Sequence, residues 1–297
     1  MSVGLEHATG LQAFVRTVEA GSFSAAARRA GTTPSAVSKS VERLEQRLGV
    51  KLFLRSTRSL ALTLDGTAYY ERVAPLLRAL DDADEALAET GQARGTLRVS
   101  LPGILGPVLV DALTREFLAR FPDIRLDISV TDRHVDLVRE GFDVALRAGP
   151  VEDSDWITRS LGDLPLVLVA APAYLARAGT PSTHEDLSGA AHIRYRLRAQ
   201  AYPIRFADGT RLQPEGVFDT DSGQAMRIAA LNGTGIAQLL RIAVADDLAA
   251  GRLVEIMAHA PLAPVPVQAL HAFGRFAPLR LRVFTDFLAE TLAPHRI

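Results

Sequence analysis

The sequence predicts a mixed α/β chain in three parts: a small helical head ending in a β-hairpin, a long connecting helix, and an α/β body. Three observations carry this. Residues 22–58 read as two helices joined by a tight, Gly-containing turn and followed by short strands. Val73, Leu76, Leu80, Ala83 and Leu87 then recur at three-four-three-four spacing, the period of a heptad seam. From Thr96 onward, apolar alternation and helical spacing succeed one another, which indicates a mainly parallel sheet.

In the head, residues 5–19 form the first helix, with Leu11, Phe14, Val15 and Val18 on one face and Arg16 free to meet a phosphate. Ser22 or Ser24 caps the second helix, whose Ala25, Ala26, Ala27 and Ala30 allow close packing. Gly31 stands where a left-handed residue must end that helix. Thr32 or Thr33 caps the third, with Pro34 at its first position, where a missing N–H costs nothing. Val37, Val41, Leu44 and Leu48 make the buried stripe. The opposite face carries Ser35, Ser38, Lys39, Glu42 and Arg43, hydroxyls and cations able to reach base edges and phosphates. This is the helix-turn-helix pattern. Alternation through Leu52 and Leu54, a turn at Ser56-Thr57-Arg58, and Leu60 and Leu62 predict a two-stranded wing. Arg55 and Arg58 sit at or near its tip, suited to a minor groove. Phe14, Phe23, Val37, Leu44 and Phe53 are core residues.

Thr63 caps the connecting helix and Asp65 lies in its first turn. The seam predicts pairing with a second copy. Pro75 removes a backbone donor and crowds the carbonyl of Glu71, so a kink or break is expected there. Residues 91–95 form a short polar hinge. In the body, strands are expected at 97–101, 126–130, 142–146, 164–170, 236–240 and 267–272. Helices are expected at 110–121, 134–140, 172–176, 222–231, 244–249 and 279–292, the last strand and helix returning to complete the first lobe.

The 297 residues suffice for two or three domains, and 48% hydrophobic with 23% charged residues describe a folded protein. With no cysteine, disulfides, thiolate metal sites and cysteine nucleophiles are excluded. Residues 1–10 contain Glu6 and no apolar segment of a secretion signal, and no apolar run reaches membrane-spanning length; a cytoplasmic protein of bacterial type is expected. The net charge of −1 hides nine cations against five anions in residues 1–65, a basic head on an acidic body. No Walker loop, Gly-x-Ser-x-Gly elbow or His-Glu-x-x-His is present. Gly233-x-Gly235 reads as a helix end before a strand. His184, His192, His259 and His271 lack metal spacing. An enzyme is therefore disfavoured, and no cofactor is called for. A free-standing solute-binding protein is disfavoured by the basic head and the missing signal.

The head resembles the winged helix-turn-helix of the LysR-type transcriptional regulators. The resemblance rests on residues 11–14 (Leu-Gln-Ala-Phe), 21–27 (Gly-Ser-Phe-Ser-Ala-Ala-Ala), 33–38 (Thr-Pro-Ser-Ala-Val-Ser), Leu44-Glu45, Leu48-Gly49, 52–55 (Leu-Phe-Leu-Arg), Leu62-Thr63 and Gly66. The body resembles the same family's effector-binding half. The marks are Glu116-Phe117, Phe121-Pro122, Asp136-Leu137, residues 141–143 (Gly-Phe-Asp), Leu146-Arg147, 173–175 (Ala-Tyr-Leu), 233–236 (Gly-Thr-Gly-Ile) and 249–254 (Ala-Ala-Gly-Arg-Leu-Val). The resemblance implies a DNA-binding domain over 1–63, a dimerisation linker over 64–92, and a two-lobed, periplasmic-binding-protein-like effector domain over 93–297. Lobe I would span about 96–163 and 266–297, and lobe II about 164–265. It implies an effector-controlled regulator, a dimer and from it a tetramer, bound to double-stranded operator DNA with an interrupted palindrome, with polymerase access altered; no membrane partner is implied. The residues expected at DNA are Arg28, Thr33, Pro34, Ser35, Ser38, Lys39, Arg43, Arg55 and Arg58. The sequence departs from the family at Leu239-Leu-Arg241, where many members have Leu-Pro, and over 194–214.

Ligands of open α/β sheets lie beyond the carboxyl ends of strands. Those ends nominate Ser100, Leu101, Pro102, Gly103, Thr131, Arg147, Ser222 and Gln238 for a small effector. N–H groups of the Pro102-Gly103 turn together with Arg147 favour an anionic one. The competing expectation ties Arg147 into a structural ion pair with Asp143 or Asp132.

Overall fold

A computed structural model describes residues 5–55, 60–87, 92–151, 156–197, 200–273 and 277–297. The chain divides into two compact units, Met1–Glu89 and Thr90–Ile297.

In the first unit, α1 (Leu5–Ala20), α2 (Phe23–Arg29) and α3 (Pro34–Leu48) are followed by β1 (Phe53–Arg55), β2 (Leu60–Leu62) and α4 (Leu64–Leu87). The caps are those the local chemistry demands. Ser22 Oγ accepts the N–H of Ala25, and Thr33 Oγ1 that of Ala36. Gly31 takes φ +62° just past the end of α2, and Pro34 opens α3. Val37, Val41 and Leu44 are buried. Phe14 is fully buried, its ring 5.4 Å from that of Phe53 and 5.8 Å from that of Tyr69. The wing pairs antiparallel, Phe53 opposite Leu62.

Glu45 holds this unit together. It is buried, and its Oε1 accepts the N–H groups of Leu52 (2.9 Å) and Phe53 (3.3 Å), while Lys51 Nζ donates to Oε2 at 2.6 Å. Burial pushes the carboxyl up, but the Lys51 hydrogen bond and the two N–H groups outweigh it and leave the pKa below its ordinary value. Thr63 Oγ1 donates to Lys51 O and accepts from Gly66 N (2.6 and 2.8 Å). A Cβ at Gly66 would run into the Leu52 carbonyl, so only glycine lets the chain pass there.

Two expectations for the connecting helix need correction. Of the kink or break expected at Pro75, the break does not occur: α4 is one helix from Leu64 to Leu87, the turns on either side of the proline carrying it through. The seam also divides. Val73 is buried in the Phe14 cluster, whereas Leu76 and Leu80 are 65% and 64% exposed; Val73 follows the head's core because it lies on the α4 face that closes it. The side chains of Ala83 and Leu87, and residues 56–59 with Arg58, lie outside the described residues.

The second unit holds two large sheets and a two-stranded one that pairs Ile204–Arg205 with Arg211–Leu212. Its elements run β3 (Gly95–Leu101), α5 (Gly106–Ala112), a π-helical turn Leu113–Phe117, α6 (Leu118–Arg120), β4 (Ile124–Val130), α7 (Leu137–Glu140), β5 (Val144–Ala148) and β6 (Ile157–Leu164). Next come β7 (Leu166–Ala170), α8 (Pro172–Ala178), α9 (His184–Ser188), β8 (His192–Leu197), β9 (Gln200–Ala201), β10 (Ile204–Arg205), β11 (Arg211–Leu212) and β12 (Gly216–Thr220). The chain finishes with α10 (Gly223–Leu231), β13 (Ile236–Leu240), α11 (Arg241–Ala249), β14 (Val254–Ile256), β15 (Val265–His271) and α12 (Leu279–Leu292). The first sheet has the order β4-β3-β5-β15-β6 and the second β12-β8-β13-β7-β14, with β9 on β8.

Each large sheet is mixed rather than mainly parallel. β3 runs parallel to β4 and β5, and β8 parallel to β12 and β13. β15 is antiparallel to β5 and β6, and β7 to β13 and β14. The antiparallel pairs arise where the chain crosses between sheets, and their strands β6 and β14 carried no clean alternation of their own. The helix expected at 134–140 shrinks to the single turn of α7, and that expected at 110–121 begins at Gly106 and widens at Leu113–Phe117. The last strand and helix do return to the first sheet: Phe284 and Leu288 of α12 are buried with Phe117, the Phe117 and Phe284 rings 5.6 Å apart and edge-on.

Replacing Glu45 with Gln is expected to cost about 1–3 kcal/mol at neutral pH. A depressed carboxylate stabilises above its unfolded pKa and ceases to do so as pH falls through its folded pKa; the Gln variant lacks that acid-side loss. Urea denaturation of both proteins from neutrality down through the carboxylate range measures it, and parallel pH curves would contradict it.

Candidate nucleic-acid interface and ligand cleft

The first candidate surface lies on α3. Burying Val37, Val41, Leu44 and Glu45 turns Ser35, Lys39 and Arg43 outward, all three exposed, with Ser38 half-buried beside them. Thr33 and Pro34 are exposed at the helix start, Thr33 using its oxygen as the cap while its hydroxyl proton stays available. Arg28 is exposed in the last turn of α2. Arg55 ends β1, its side chain outside the described residues, as is all of Arg58. Hydroxyls and cations standing on the N-terminal half of an exposed helix, beside a hairpin, suit a major groove and its flanking phosphates.

The second candidate is a cavity of about 190 Å³ between the two large sheets of the body. The carboxyl ends of β4 and β5 supply Thr131, Asp132 and Arg147; β8 and β13 supply Tyr195, Gln238 and Leu239 from the other side. Among the sequence-nominated residues, Pro102, Thr131, Arg147 and Gln238 line it. Ser100 is buried and donates no wall, but its Oγ accepts from both terminal nitrogens of Arg147 (3.3 and 3.4 Å). Arg147 also donates to the carbonyls of Leu146 (2.6 Å) and Arg133 (3.4 Å). Burial lowers its pKa and the nearby Asp132 charge works against that.

Four of the expected residues or pairings find another arrangement here, each for a local reason. Leu101 is fully buried in the core of the first sheet because alternation turns it away from the cavity. Ser222 is spent as the cap of α10, its Oγ accepting from Ala225 N at 3.3 Å. Gly103 N–H is not offered to a ligand: Asp132 Oδ1 takes it at 2.7 Å. The ion pair expected for Arg147 does not form either. Asp143 is buried and accepts the N–H of Arg98 at 2.7 Å, Asp132 accepts backbone N–H groups, and among the described residues no carboxylate pairs with Arg147.

The stretch 194–214, which the sequence sets near the cleft or the subunit surface without naming its ligand-facing residues, provides walls of the cavity. Tyr202 N donates to Tyr195 O at 2.7 Å, closing the hairpin of β8 and β9. Tyr195, Leu197, Tyr202, Ile204 and Pro214 thereby reach the cavity. Arg194 fastens the stretch, with two bonds to Asp219 (2.8 and 2.7 Å) and one to Pro214 O at 3.0 Å. Burial, with Asp132 and Asp221 nearby, pushes the Tyr195 phenol up to about 12, so it stays a donor. Short strands broken by Pro203 and Pro214 gave no periodic signal. His192 is buried, its Nε2 2.6 Å from Leu187 O, and burial lowers its pKa. Among the described residues no group of side chains is arranged to hold a metal, and no helix is long and apolar enough to cross a membrane.

Comparison with known proteins bears on both surfaces. A family profile for a bacterial regulatory helix-turn-helix protein, lysR family, matches residues 9–67, and one for the LysR substrate binding domain matches 90–293. The chain is similar to the HTH-type transcriptional regulator CrgA of Neisseria meningitidis serogroup C, 36% identical over 288 residues covering 95% of this chain and 96% of that protein. It is 32% identical to the HTH-type transcriptional activator AaeR of Escherichia coli over 96% of this chain and 95% of that one. The solved structure of CrgA, a LysR-type transcriptional regulator, superposes with a TM-score of 0.62 at 35% identity over 95% of this chain and 98% of that one. The full-length Vibrio cholerae virulence activator AphB does so with 0.58 at 26% over 95% and 98%.

Because Ser222 serves α10 as its cap, Ser222→Ala is expected to lower the stability of the body by about 1 kcal/mol. Thermal denaturation reads this; an unchanged midpoint would return Ser222 to the cavity.

Proposed function

The chain belongs to the LysR-type family of transcriptional regulators, and from this we propose which of its residues read DNA and what the cleft accepts. It is a DNA-binding transcriptional regulator controlled by a small-molecule effector, and not an enzyme. Regulators of this family form oligomers.

The exposed face of α3 carries the reading of the operator. Thr33, Pro34, Ser35, Ser38 and Lys39 meet base edges, Arg43 and Arg28 meet phosphate, and Arg55 and Arg58 enter the minor groove from the wing. Support comes from the outward placement of Ser35, Lys39 and Arg43 on a helix whose other face is buried. Two heads joined through the exposed Leu76 and Leu80 of α4 place two such helices on the half-sites of an interrupted palindrome. Pairs of dimers form the tetramer, and the complex acts in the cytoplasm by changing DNA bending and RNA polymerase access.

The cleft takes a small metabolite with an acidic group facing Arg147. The supporting observation is a half-buried guanidinium whose hydrogen bonds go to neutral oxygens, with the Asp132 charge near but not paired to it, so an incoming carboxylate meets a guanidinium that, among the described residues, has no direct ionic partner. Calorimetry against a metabolite panel tests this. Acidic compounds should bind, and Arg147→Ala should weaken them by about 1.5–3 kcal/mol; hits confined to neutral or cationic compounds would sink it.

Lys39→Ala is expected to weaken operator binding by about 1–3 kcal/mol with relaxed sequence preference. A footprint on the upstream intergenic DNA, with competitor DNA and a salt series, provides the measurement. A dyad-symmetric protected site with a steep salt slope is expected. Equal loss on random DNA would make Lys39 a phosphate anchor, and protection without sequence preference would overturn the operator reading.

A further inference from the structure

The cleft contains one half-buried charge that no ligand-recognition role explains, and both lobes share it. Asp132 follows β4 in the first lobe. Its Oδ1 accepts the N–H of Gly103 at 2.7 Å, and its Oδ2 accepts the N–H of Gly223, the first residue of α10 in the second lobe, at 3.2 Å. One carboxylate therefore joins two segments that lie 29 and 91 residues from it along the chain. The approach is close on both sides. A Cβ on Gly103 would stand 2.7 Å from Asp132 Oδ2, and one on Gly223 would stand 2.7 Å from the Cβ of Ile104 in the first lobe. The loop carrying Asp132 is itself braced. Arg133 and Glu140 make a two-pronged pair, and Glu140 Oε1 also accepts the N–H of Asp136 at 2.9 Å.

We propose that Asp132 is a built-in anion that pins the two lobes together and reserves this end of the cleft against a second acidic group on the effector. The proposal rests on the cleft being the effector site. Converging N–H groups favour a negative charge, and here the chain supplies it. Another acid placed there would meet the charge of Asp132 and, close by, that of Asp221, and like charges in a buried site exclude each other. Arg147 is then the recogniser of acid in this cleft. The effector is a monoacid whose far end is uncharged or donates hydrogen bonds toward Asp132. For the lobes to part at this point, the Asp132–Gly223 bond must break.

The test is amide hydrogen exchange by mass spectrometry on the full chain, following the segments that contain Gly103 and Gly223. Wild type, Asp132→Asn and Asp132→Ala are compared, with formate as the probe anion and succinate as the probe diacid. In the Ala variant both amides should exchange at least about tenfold faster, the size expected for losing a hydrogen bond to a charged group, and formate should slow them again. The Asn variant keeps one acceptor oxygen and nearly the same shape, so it should fold as wild type does and slow only one of the two amides. Succinate, followed by calorimetry, should bind the Ala variant about tenfold or more tighter than wild type. Unchanged exchange at Gly223 in a folded Ala variant, or faster exchange that formate does not slow, overturns the pin. Equal succinate binding by the two proteins overturns the reserved anion position. The exchange measurement needs no effector. If Arg147→Ala left acid binding unaltered, the effector-site reading would fall by itself while the exchange result still judged the pin.

Discussion

The first of the chain's two crossings between the large sheets of the body has a single residue to spare. β6 ends at Leu164 and β7 begins at Leu166. Pro165 between them has no N–H to give to either ladder, but its carbonyl accepts the N–H of Arg241 at 2.9 Å, where α11 starts. Leu240 and Ile242, on either side of that bond, are buried in the core of the first sheet. The crossing is therefore packed on both sides, and it sets the sheets beside each other with the carboxyl ends of their parallel strands facing one gap. Strand ends leave backbone groups without ladder partners, and those groups must find side chains, water or ligand. The cleft follows from this constraint, and so does the need for a residue such as Asp132 to satisfy what the strand ends leave over.

The head obeys a different rule, with one buried acid doing by hydrogen bonds what a larger core would do by area. A unit this small has little apolar surface to bury. Glu45 ties α3 to the chain entering the wing at Leu52 and Phe53, Thr63 ties the far strand back to Lys51, and Gly66 lets α4 press on Leu52. These bonds hold the hairpin against α3 and fix the direction of the helix face that carries Ser35 and Lys39. If that face reads DNA as proposed, recognition depends on buried residues behind it.

How much of this could be read from the sequence divides by range. Caps and turns were legible because their partners lie within a few residues: Ser22 with Ala25, Thr33 with Ala36, and Gly31 by its backbone freedom alone. The position of the cleft was legible from strand ends, and Thr131, Arg147 and Gln238 do line it. The role of Asp132 was not, because Gly103 and Gly223 come to it only through the fold. Glu45 entered the sequence reading only through the Leu44-Glu45 mark of the family, although its spacing from Val41 and Leu44 already set it on the buried side. Ser222 was misjudged for the opposite reason: a strand-end serine before an apolar run is first of all a helix cap, and that local role consumed it.

The two half-buried charges of the cleft, Arg147 and Asp132, are held near each other without being joined. Arg147 donates to Ser100, Leu146 and Arg133, all neutral acceptors, and Asp132 accepts from two backbone N–H groups. Burial works against both charged forms, lowering the pKa of the arginine and raising that of the acid. A direct ion pair would ease both at once, yet it would leave the guanidinium with nothing to give a ligand. The neutral acceptors keep it aimed, since they fix the planar fork without cancelling its charge. Backbone N–H groups of Gly103 and Gly223 occupy the Asp132 oxygens in the corresponding way. On the proposed reading, an acid that enters the cleft gives the guanidinium the direct ionic partner that its neutral acceptors do not.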